Sequence, residues 1–279
     1  MIHKNIKEIV GKNFPVIIVG SGPAGITLAL SLEQRRIDCR IIEAGNEEYT
    51  DESQENYVAK IIGDQITDLR YSRLRQLGGT SGHWGGWCKP IEKWNVEKWG
   101  IEYDSFSKLK DQTCKILEIE NKFQQSKLSN FYSQIQFQYS KVRFGDKYKN
   151  HLSSSKHIHL LINAQVTHLS GINKIFESIS VSQNNENIIL RSNFFILCAG
   201  GIENSRILLW SKEKDKSLIN NNLPIGKYWI SHPWIIGGVG FLYKSKIEKI
   251  LNENFINYDG PMHIATNSEL VNKKNILSG

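Results

Sequence analysis

Residues 16–43 read VIIVGSGPAGITLALSLEQRRIDCRIIE, and this stretch decides the fold of the chain. A short apolar run, Val16 to Val19, predicts a buried strand, and a second run, Cys39 to Ile42, ends at Glu43. Between them, apolar residues recur every four positions, which predicts one stripe of a helix. The first strand and the helix are joined by a turn with the spacing G-x-G-x-x-G, formed by Gly20, Gly22 and Gly25. This order predicts a βαβ unit of the dinucleotide-binding type.

Each part of the unit has a physical task in holding a dinucleotide. Gly20 permits the sharp turn, Gly22 lets a pyrophosphate approach the backbone, and Gly25 lets the helix pack closely on the strand. The amino end of the helix presents N–H groups and a partial positive charge to the phosphates. Glu43 follows Gly25 by 18 residues, where a carboxylate can accept hydrogen bonds from ribose hydroxyls. A turn that is only structural is the alternative interpretation.

Composition is typical of a globular protein and excludes a disordered one, because 40% of the 279 residues are hydrophobic. This length accommodates two domains, or one large α/β domain with an insertion. A net charge of +7 raises the hypothesis of nucleic-acid binding. The lysines, however, are interleaved with acids, as in residues 212–216, which favours a solvated surface. We therefore expect no nucleic-acid partner.

The cysteines and the apolar runs bear on location. The 4 cysteines share no C-x-x-C spacing, which argues against a metal site or a disulfide framework and favours a reducing compartment. No signal peptide is visible at the N-terminus, and no apolar run is long enough to cross a bilayer. We expect a cytoplasmic protein without a membrane span and without a metal.

A second glycine-rich segment covers residues 73–90, RLRQLGGTSGHWGGWCKP. Its glycines, which disfavour both helix and strand, are Gly78, Gly79, Gly82, Gly85 and Gly86. Such a segment suits a backbone that must approach a flat or charged ligand, and the hydroxyls of Thr80 and Ser81 can bind phosphate or ring heteroatoms. A plain surface loop is the alternative, which the embedded Trp84 and Trp87 disfavour.

A third segment, residues 199–209, reads AGGIENSRILL and follows the apolar strand predicted over 194–199. This segment has the same order as the first one: a strand, then glycines, then a helix, here with Glu203 in its first turn. The Gly-Gly pair again lets the backbone approach a ligand closely. Elsewhere the patterns predict a surface loop over 46–56, a helix over 104–135, a basic turn over 139–150, a strand over 157–169, and a hairpin of 175–183 with 187–191.

The first stretch together with LGGTSGHWGG resembles the FAD-binding half of the glucose–methanol–choline (GMC) oxidoreductases, most closely the sugar-oxidising, pyranose 2-oxidase-like branch. The pattern G-G-x-S-x-H is matched by Gly78, Gly79, Ser81 and His83. In pyranose and choline oxidases the histidine at this place is bonded to the 8α-methyl carbon of the flavin. The resemblance implies either such a covalent anchor at His83 or a histidine that only packs beside the flavin.

The resemblance also implies a set of cofactor contacts. The segment NAQV, ending at Val166, is similar to the strand whose backbone meets the adenine. Residues 223–233 resemble a family segment whose histidine, here His232, either packs by the cofactor or caps a turn before Pro233. The candidate FAD-binding residues are Gly20, Gly22, Pro23, Ala24, Gly25, Glu43, Ala44, Gly78, Gly79, Thr80, Ser81, His83, Trp84, Gly85, Gly86, Val166, Ala199, Gly200, Ser205 and His232.

The fold class implied is α/β: an FAD-type Rossmann domain of three layers with a partial, truncated α+β substrate domain. The predicted divisions are the first part of the FAD-binding domain at 1–90, a substrate-site or cap insertion at 91–150, the return part at 151–234, and the truncated start of the substrate domain at 235–279. Residues 234–243 are expected to expose apolar surface if that domain is unfinished.

Two functions follow from the resemblance. The first is an FAD-dependent oxidoreductase that oxidises an alcohol, sugar-like in character, by hydride transfer to the flavin. The catalytic histidine pair, or histidine and asparagine, of the family has no match here, and so the catalytic residues stay unassigned. The second is a non-catalytic flavin-binding fragment, or a split subunit that needs a partner chain to supply the missing C-terminal part. An NAD(P)-dependent reductase ranks last, because it predicts only one glycine segment.

Overall fold

The computed structural model of the chain describes residues 1–9, 11, 13–63, 68–229 and 263–274. His232 and the segment 234–243, for which the sequence raised expectations, lie outside the described residues. The chain forms two compact units, the first from Met1–Trp84 with Arg143–Ile230 and the second from Gly85–Val142 with Ser231–Gly279. The functional division proposed from the sequence, with borders after residues 90, 150 and 234, stays a prediction.

The strands and helices are numbered in chain order. The strands are β1 (Ile2–His3), β2 (Val16–Val19), β3 (Cys39–Ile42), β4 (Trp87–Cys88), β5 (Gln125–Lys127), β6 (Tyr132–Ile135), β7 (Gln138–Tyr139), β8 (Ile158–Leu161), β9 (Gln165–Ile172), β10 (Ile175–Gln183), β11 (Glu186–Arg191), β12 (Phe194–Leu197) and β13 (His263–Thr266). The α-helices are α1 (Pro23–Glu33), α2 (Asp51–Gln54), α3 (Lys93–Lys98), α4 (Tyr103–Ser107), α5 (Lys110–Leu117), α6 (Phe144–Ser154), α7 (Gly200–Lys214) and α8 (Ser268–Lys274). Short 3₁₀ helices cover Ile6–Glu8, Glu55–Tyr57 and Gly79–Gly82.

The first unit is built on a five-stranded parallel sheet with the order β1-β8-β3-β2-β12. Strands β2 and β3 begin and end where the sequence predicts, and Val16 pairs with both Cys39 and Phe194. Every residue of β2, β3 and β8 is buried, as expected for parallel strands covered on both faces. The carboxyl ends of β2, β3 and β12 thus share one edge of the sheet.

The two faces of this sheet carry different layers. Ile17 and Val19 belong to a core cluster that includes Val181 of the antiparallel sheet β11-β10-β9 and Ile207 of α7. Ile18 points the other way, toward Gly25 of α1. The result is an α/β domain with a parallel central sheet, with α1 on one face and the smaller sheet together with α7 on the other. The predicted fold class, an FAD-type Rossmann domain, is confirmed.

The hairpin prediction is confirmed, whereas the strand predicted over 157–169 is interrupted. Strands β10 and β11 pair through a two-residue turn in which Asn184 and Asn185 have positive φ angles of 49° and 64°. The interrupted strand is divided into β8 and β9, because Asn163 adopts a left-handed φ of 52° and its N–H donates to the carbonyl of Gly45 at 2.8 Å. That bond holds the β8–β9 turn beside the end of β3.

The second unit mixes short helices with antiparallel strands. Its described strands form the sheets β13-β6-β5 and β4-β7. Val96 of α3, Cys114 of α5, Ile135 of β6 and Val142 are buried. The helix predicted over 104–135 is wrong beyond residue 117, because Glu118 takes a left-handed φ of 54° and ends α5, and the chain then enters β5 and β6.

Two further expectations about local structure are wrong. The predicted surface loop over 46–56 contains α2, whose first turn is capped by the Thr50 hydroxyl accepting from the Ser53 N–H at 3.2 Å. Ser53 and Gln54 are buried, so one face of α2 packs against the domain while the rest of the segment stays at the surface. The predicted turn over 139–150 contains the first turns of α6, where Phe144 and Leu152 give the buried stripe.

Three features of the described part of the chain concern membrane spans, metal binding and cysteine chemistry. No helix there is both long and apolar enough to cross a membrane. Within the same residues no group of three or more His, Cys, Asp or Glu side chains is placed to bind a metal ion. All four cysteines are free thiols, and burial raises the pKa of Cys39 to about 12.

Candidate dinucleotide-binding site

The first glycine turn connects β2 to α1 and explains two of its three glycines by geometry. Gly20 has a φ of +99°, and a Cβ there would lie 2.8 Å from the carbonyl oxygen of Cys198. A Cβ at Gly25 would lie 2.0 Å from the carbonyl oxygen of Gly20. At Gly22, by contrast, an added Cβ would meet no atom within 4 Å. Gly20 and Gly25 are therefore needed by the fold, whereas Gly22 borders open space.

The amino end of α1 faces that open space. Gly22 is the N-cap residue, no side chain caps the helix, and Pro23 occupies its first turn. Ala24 is exposed and Gly25 is buried. The first N–H groups of an α-helix lack partners within the helix, and together with the helix dipole they favour an anion. The local geometry therefore suits a phosphate group.

Glu43 is held in place at the end of β3. The residue is 6% exposed. Its carboxylate accepts from the N–H and hydroxyl of Ser21, at 2.9 and 2.6 Å, and from the N–H of Gly45 at 2.7 Å. Ala44, between the two contacts, is half-buried. A carboxylate offers about four acceptor positions. These contacts use three of them, so the carboxylate is fixed in orientation and keeps acceptor capacity for a ribose hydroxyl.

The second glycine segment packs directly on the first turn. The N–H of Gly78 donates to the carbonyl of Ser21 at 3.0 Å, and a Cβ at Gly79 would lie 3.2 Å from the Cα of Gly22. Both glycines have positive φ angles, of 83° and 54°. A Cβ at Gly78 would also lie 2.2 Å from the backbone nitrogen of Gly145 in α6. The segment is thus wedged between the first turn and α6.

Ser81 and Thr80 differ in availability. Ser81 is buried, and its hydroxyl donates to the Gly78 carbonyl at 2.7 Å and accepts from the Phe144 N–H at 3.0 Å. Its hydroxyl is therefore already used to hold the segment against α6. Thr80 is exposed, and its hydroxyl accepts from the Leu74 N–H at 3.3 Å, which leaves its proton available to a ligand.

His83 follows the 3₁₀ helix Gly79–Gly82 and is exposed. Partial desolvation of its ring lowers the pKa of His83, and the Arg143 guanidinium acts in the same direction. The imidazole is therefore neutral near pH 7. The carbonyl of Trp84 accepts from Arg143 Nη2 at 3.2 Å, and the Trp84 ring lies edge-on to Phe144 with centroids 6.1 Å apart.

The last two glycines of this segment lie in the second unit. Gly85 is exposed, whereas Gly86 is buried with a φ of +72°. The Gly86 carbonyl accepts from the Ser140 N–H at 2.8 Å, and a Cβ at Gly86 would lie 2.1 Å from the Ser140 carbonyl oxygen. Within that unit, Gly86 is explained by close backbone packing alone.

The third segment repeats the features of the first. Gly200 has a φ of +82°, and an added Cβ there would meet no atom within 4 Å. The N-cap of α7, Ala199, provides no side-chain cap, and its N–H donates to the Asn204 side chain at 2.9 Å. Ser205 donates its hydroxyl to the Gly201 carbonyl at 2.8 Å within the helix. The amino end of α7 thus also borders open space.

Val166 lies in β9, where it pairs with Val181. Its side chain is 3% exposed and belongs to the core, so only its backbone is placed to contact a ligand.

A charged network near this site was not predicted. Glu203 in the first turn of α7 accepts from Arg73 Nη1 at 2.9 Å and from Arg206 Nε at 2.6 Å. The Arg73 guanidinium lies 3.9 Å from the ring centroid of Tyr57, and its Nε is buried without a partner. Burial raises the pKa of Tyr57 to about 12, and the carboxylates of Glu43 and Glu203 add to the rise. The network therefore joins the second segment to the third.

The three segments meet at one edge of the parallel sheet. Gly20 touches the backbone at Cys198 and Ala199, and Gly79 touches Gly22. In open α/β sheets ligands bind at the carboxyl ends of the strands. Two uncapped helix ends and a fixed acid at this edge can hold the pyrophosphate and the ribose of a dinucleotide.

Comparison with known proteins gives one family match and similarity to solved structures. Residues 13–57 match a family described as FAD binding domain. Among solved structures, the chain is similar to pyridoxine 4-oxidase from Mesorbium loti, with 14% identity, a TM-score of 0.48, and coverage of 70% of this chain and 51% of that one. It is also similar to formate oxidase, with 14% identity, a TM-score of 0.48, and coverage of 71% and 47%. The chain therefore spans about half the length of these two structures. No curated protein matches the sequence. The segment that carries the first glycine turn and Glu43 is thus similar to FAD binding domains.

Proposed function

We propose that the chain binds FAD across the carboxyl ends of β2, β3 and β12, as part of an oxidoreductase of the GMC type. The observation that carries this proposal is the meeting of three glycine segments. Gly20 lies against Cys198 and Ala199, while Gly79 lies against Gly22. A reductase that uses NAD(P) needs only the first glycine segment. The flavin of FAD extends past the pyrophosphate, so further segments without side chains are needed where the backbone passes close to it.

The described residues fit this cofactor. Open space at Gly22 and Gly200 leaves the pyrophosphate room to reach the uncapped ends of α1 and α7. Glu43 accepts from the ribose through its remaining acceptor position, and Thr80 offers a hydroxyl proton. Ser81 supports the segment from behind through its bonds to Gly78 and Phe144.

When bound, FAD supplies a hydride acceptor, and the protein positions it and tunes its potential. The resemblance to the sugar-oxidising branch makes a sugar-like alcohol the proposed substrate. Within the proposal, His83 stands beside the flavin as its covalent anchor. The neutral imidazole that its lowered pKa favours is the form whose nitrogen has a lone pair for that bond.

A second candidate function is a flavin-binding chain whose catalytic base comes from a partner. One sequence observation favours it: across residues 16–45, 70–90 and 194–210, which hold the three segments, His83 is the single histidine. Removal of the alcohol proton requires a positioned base. If His83 serves as an anchor, these segments supply no second imidazole for that task.

The experiment starts with chain incubated with FAD, freed of excess cofactor and precipitated with acid. A yellow pellet from the wild type and a yellow supernatant from His83→Ala establish the covalent anchor. Yellow supernatant from both establishes binding without the bond. Anaerobic addition of sugars and simple alcohols then tests oxidation. Bleaching of the flavin band supports the enzyme, a stable band supports the second candidate, and no retained flavin overturns the proposal.

A further inference from the structure

A β-bulge in the small antiparallel sheet brings three polar side chains together. In the register of β9 and β10, Ser180 pairs with His168. The next pair is Val181 with Val166, so Thr167 is an extra residue of β9. A bulge interrupts the alternation of a regular strand and re-aims a side chain. Thr167 and its neighbour His168 therefore contact each other beside Ser180, and their hydroxyl and ring nitrogens are within hydrogen-bond distance.

The hydrogen bonds among these three side chains indicate where their protons lie. The Thr167 hydroxyl has one proton, which it donates to the Ser180 carbonyl at 3.3 Å. Toward His168 this hydroxyl must accept, so we assign the proton of the neutral imidazole to Nδ1, 2.9 Å away. The other ring nitrogen, Nε2, then has a lone pair and lies 3.2 Å from the Ser180 hydroxyl. Ser180 is thus the donor and the imidazole is the acceptor.

The surroundings of His168 favour its neutral, basic form. Partial desolvation lowers the pKa of His168, and the positive charge of Lys214 on α7 acts in the same direction. A nucleophile, a base within hydrogen-bond reach of it, and a third group that orients the base are the signature of an activated nucleophile. Ser180, His168 and Thr167 correspond to these three parts in that order.

The Ser180 hydroxyl lies on the face of the small sheet that is turned away from the core. Its neighbours in β10, Ile179 and Val181, belong to the core cluster, so alternation directs Ser180 to the other face. Ser180 and His168 are half-buried, which leaves them accessible to a small reagent. On β11, Ser180 pairs with Ile189, whose side chain is 65% exposed. This apolar surface beside the hydroxyl suits an apolar acyl group.

We propose that Ser180 is a nucleophile, with His168 as its general base, in an acyl-transfer site for esters that carry an apolar acyl group. Ser180 Oγ bonds to the ester carbonyl carbon while its proton moves to His168 Nε2. The ester C–O bond then breaks, and that proton passes to the leaving alcohol oxygen. Water next attacks the acyl-serine, His168 takes a proton from the water, and Ser180 Oγ receives it as the carboxylic acid departs.

Thr167 is a positioning residue in this proposal, because it holds the imidazole in the tautomer that can accept from Ser180. The activity goes beyond the proposed flavin chemistry, which uses none of these three side chains. The two proposals can therefore fail independently, and the test needs no flavin.

The test uses the full chain and two reagents. A fluorophosphonate forms an Oγ–phosphorus bond and expels fluoride, and peptide mass spectrometry then locates the labelled serine. p-Nitrophenyl butyrate reports acyl transfer through the release of nitrophenolate. General-base assistance contributes about 10²–10⁴-fold, so we expect Ser180 to be labelled at least about 100-fold faster than Ser182. Ser182 is the internal control, because it is half-buried on the same face of β10 and pairs with Gln165 and Asn187.

The variants assign the roles. Ser180→Ala should abolish labelling at this position and the release of nitrophenolate, and His168→Gln should slow both about 100-fold. Thr167→Val should slow both about tenfold, as for the loss of one hydrogen bond, whereas Thr167→Ser keeps the hydroxyl and should restore the rate. Ser182→Ala should leave the rate of nitrophenolate release unchanged. Unfolding temperatures verify that each variant folds.

Two results from the folded wild-type chain would overturn the inference without any variant. The first is labelling of Ser180 no faster than that of Ser182. The second is an NMR spectrum of the imidazole nitrogens in which the neutral His168 ring has its proton on Nε2 instead of Nδ1. Among the variants, nitrophenolate release at the wild-type rate from folded Ser180→Ala or His168→Gln would overturn it as well.

Discussion

Replacing Gly22 by alanine separates the needs of the fold from those of the ligand. Gly22 has φ −70° and ψ −176°, which alanine adopts freely, and an added Cβ meets no atom within 4 Å. Loss of unfolded-state freedom stabilises such a variant by about 0.4–1 kcal/mol. Alanine is a poorer N-cap than glycine by a similar amount, roughly 0.5–1 kcal/mol. The two effects offset, and we expect the unfolding temperature to change by about 3 °C at most.

The same methyl group occupies the space through which a pyrophosphate reaches the end of α1. Loss of one hydrogen bond to a charged group costs about 1.5–3 kcal/mol. We therefore expect the FAD dissociation constant of Gly22→Ala to rise roughly 10- to 100-fold.

Gly25→Ala is the contrasting variant. Its Cβ would lie 2.0 Å from the Gly20 carbonyl oxygen, so α1 must shift away from β2. Overpacking of this kind costs about 1–3 kcal/mol, and we expect the unfolding temperature to fall by about 3–10 °C.

The assay pairs thermal unfolding by circular dichroism, without ligand, with FAD titration by calorimetry. Wild-type FAD affinity in a folded Gly22→Ala chain would refute the reasoning. Equal loss of stability in both variants would also refute it, because the space at Gly22 would then not be open.

Further predictions concern other parts of the first unit. Ser81→Ala leaves the Gly78 carbonyl and the Phe144 N–H without their buried partner, and should cost about 1–3 kcal/mol of unfolding free energy. Thr80→Ala, at an exposed residue, is the control and should cost about 0.5 kcal/mol or less. Equal losses of stability in the two variants would contradict this prediction. Desolvation lowers the pKa of His83 in the folded chain. The stability that the neutral imidazole contributes is therefore present above the ordinary histidine pKa and is lost as the pH falls through the lower folded value. An NMR titration midpoint at or above the ordinary value would contradict this prediction. Cys39 is buried with a pKa of about 12, so iodoacetamide at mildly alkaline pH should label it only in the denatured chain. Labelling of the native chain would contradict the burial of this thiol in β3.

The parts of the fold that could be predicted are those encoded in short, local patterns. Strands β2 and β3 were predicted to the residue, because the apolar run 16–19 ends at Gly20 and the largely apolar run 39–42, which includes Arg40, ends at Glu43. The hairpin β10–β11 was predictable for the same reason, since alternation stops at Asn184 and Asn185.

The errors arise where tertiary contacts override local pattern. The polar segment 46–56 looks like a loop, yet Ser53 and Gln54 are buried because Arg75 and the backbone around it bond to them. Likewise, apolar spacing predicted a continuous helix after residue 104. No residue at this point of the sequence indicates that Glu118 adopts a left-handed backbone conformation.

The glycines of the site could be predicted from the sequence, whereas its charged network could not. The spacing of the glycines along the chain indicates the roles of Gly20, Gly22, Gly78 and Gly200. Arg73 and Glu203, by contrast, lie 130 residues apart, and only the folded chain brings them within 2.9 Å. Ser81 was assigned to the ligand, whereas its hydroxyl is used by Gly78 and Phe144, a contact that sequence spacing does not encode.

The central claim, that three glycine segments form one flavin site, is tested most directly by calorimetric titration of the purified chain with FAD. The account predicts saturable binding of one FAD per chain, with a shift of the flavin absorption band and quenching of its fluorescence. Absence of heat and of any spectral change at FAD concentrations up to the millimolar range would contradict it.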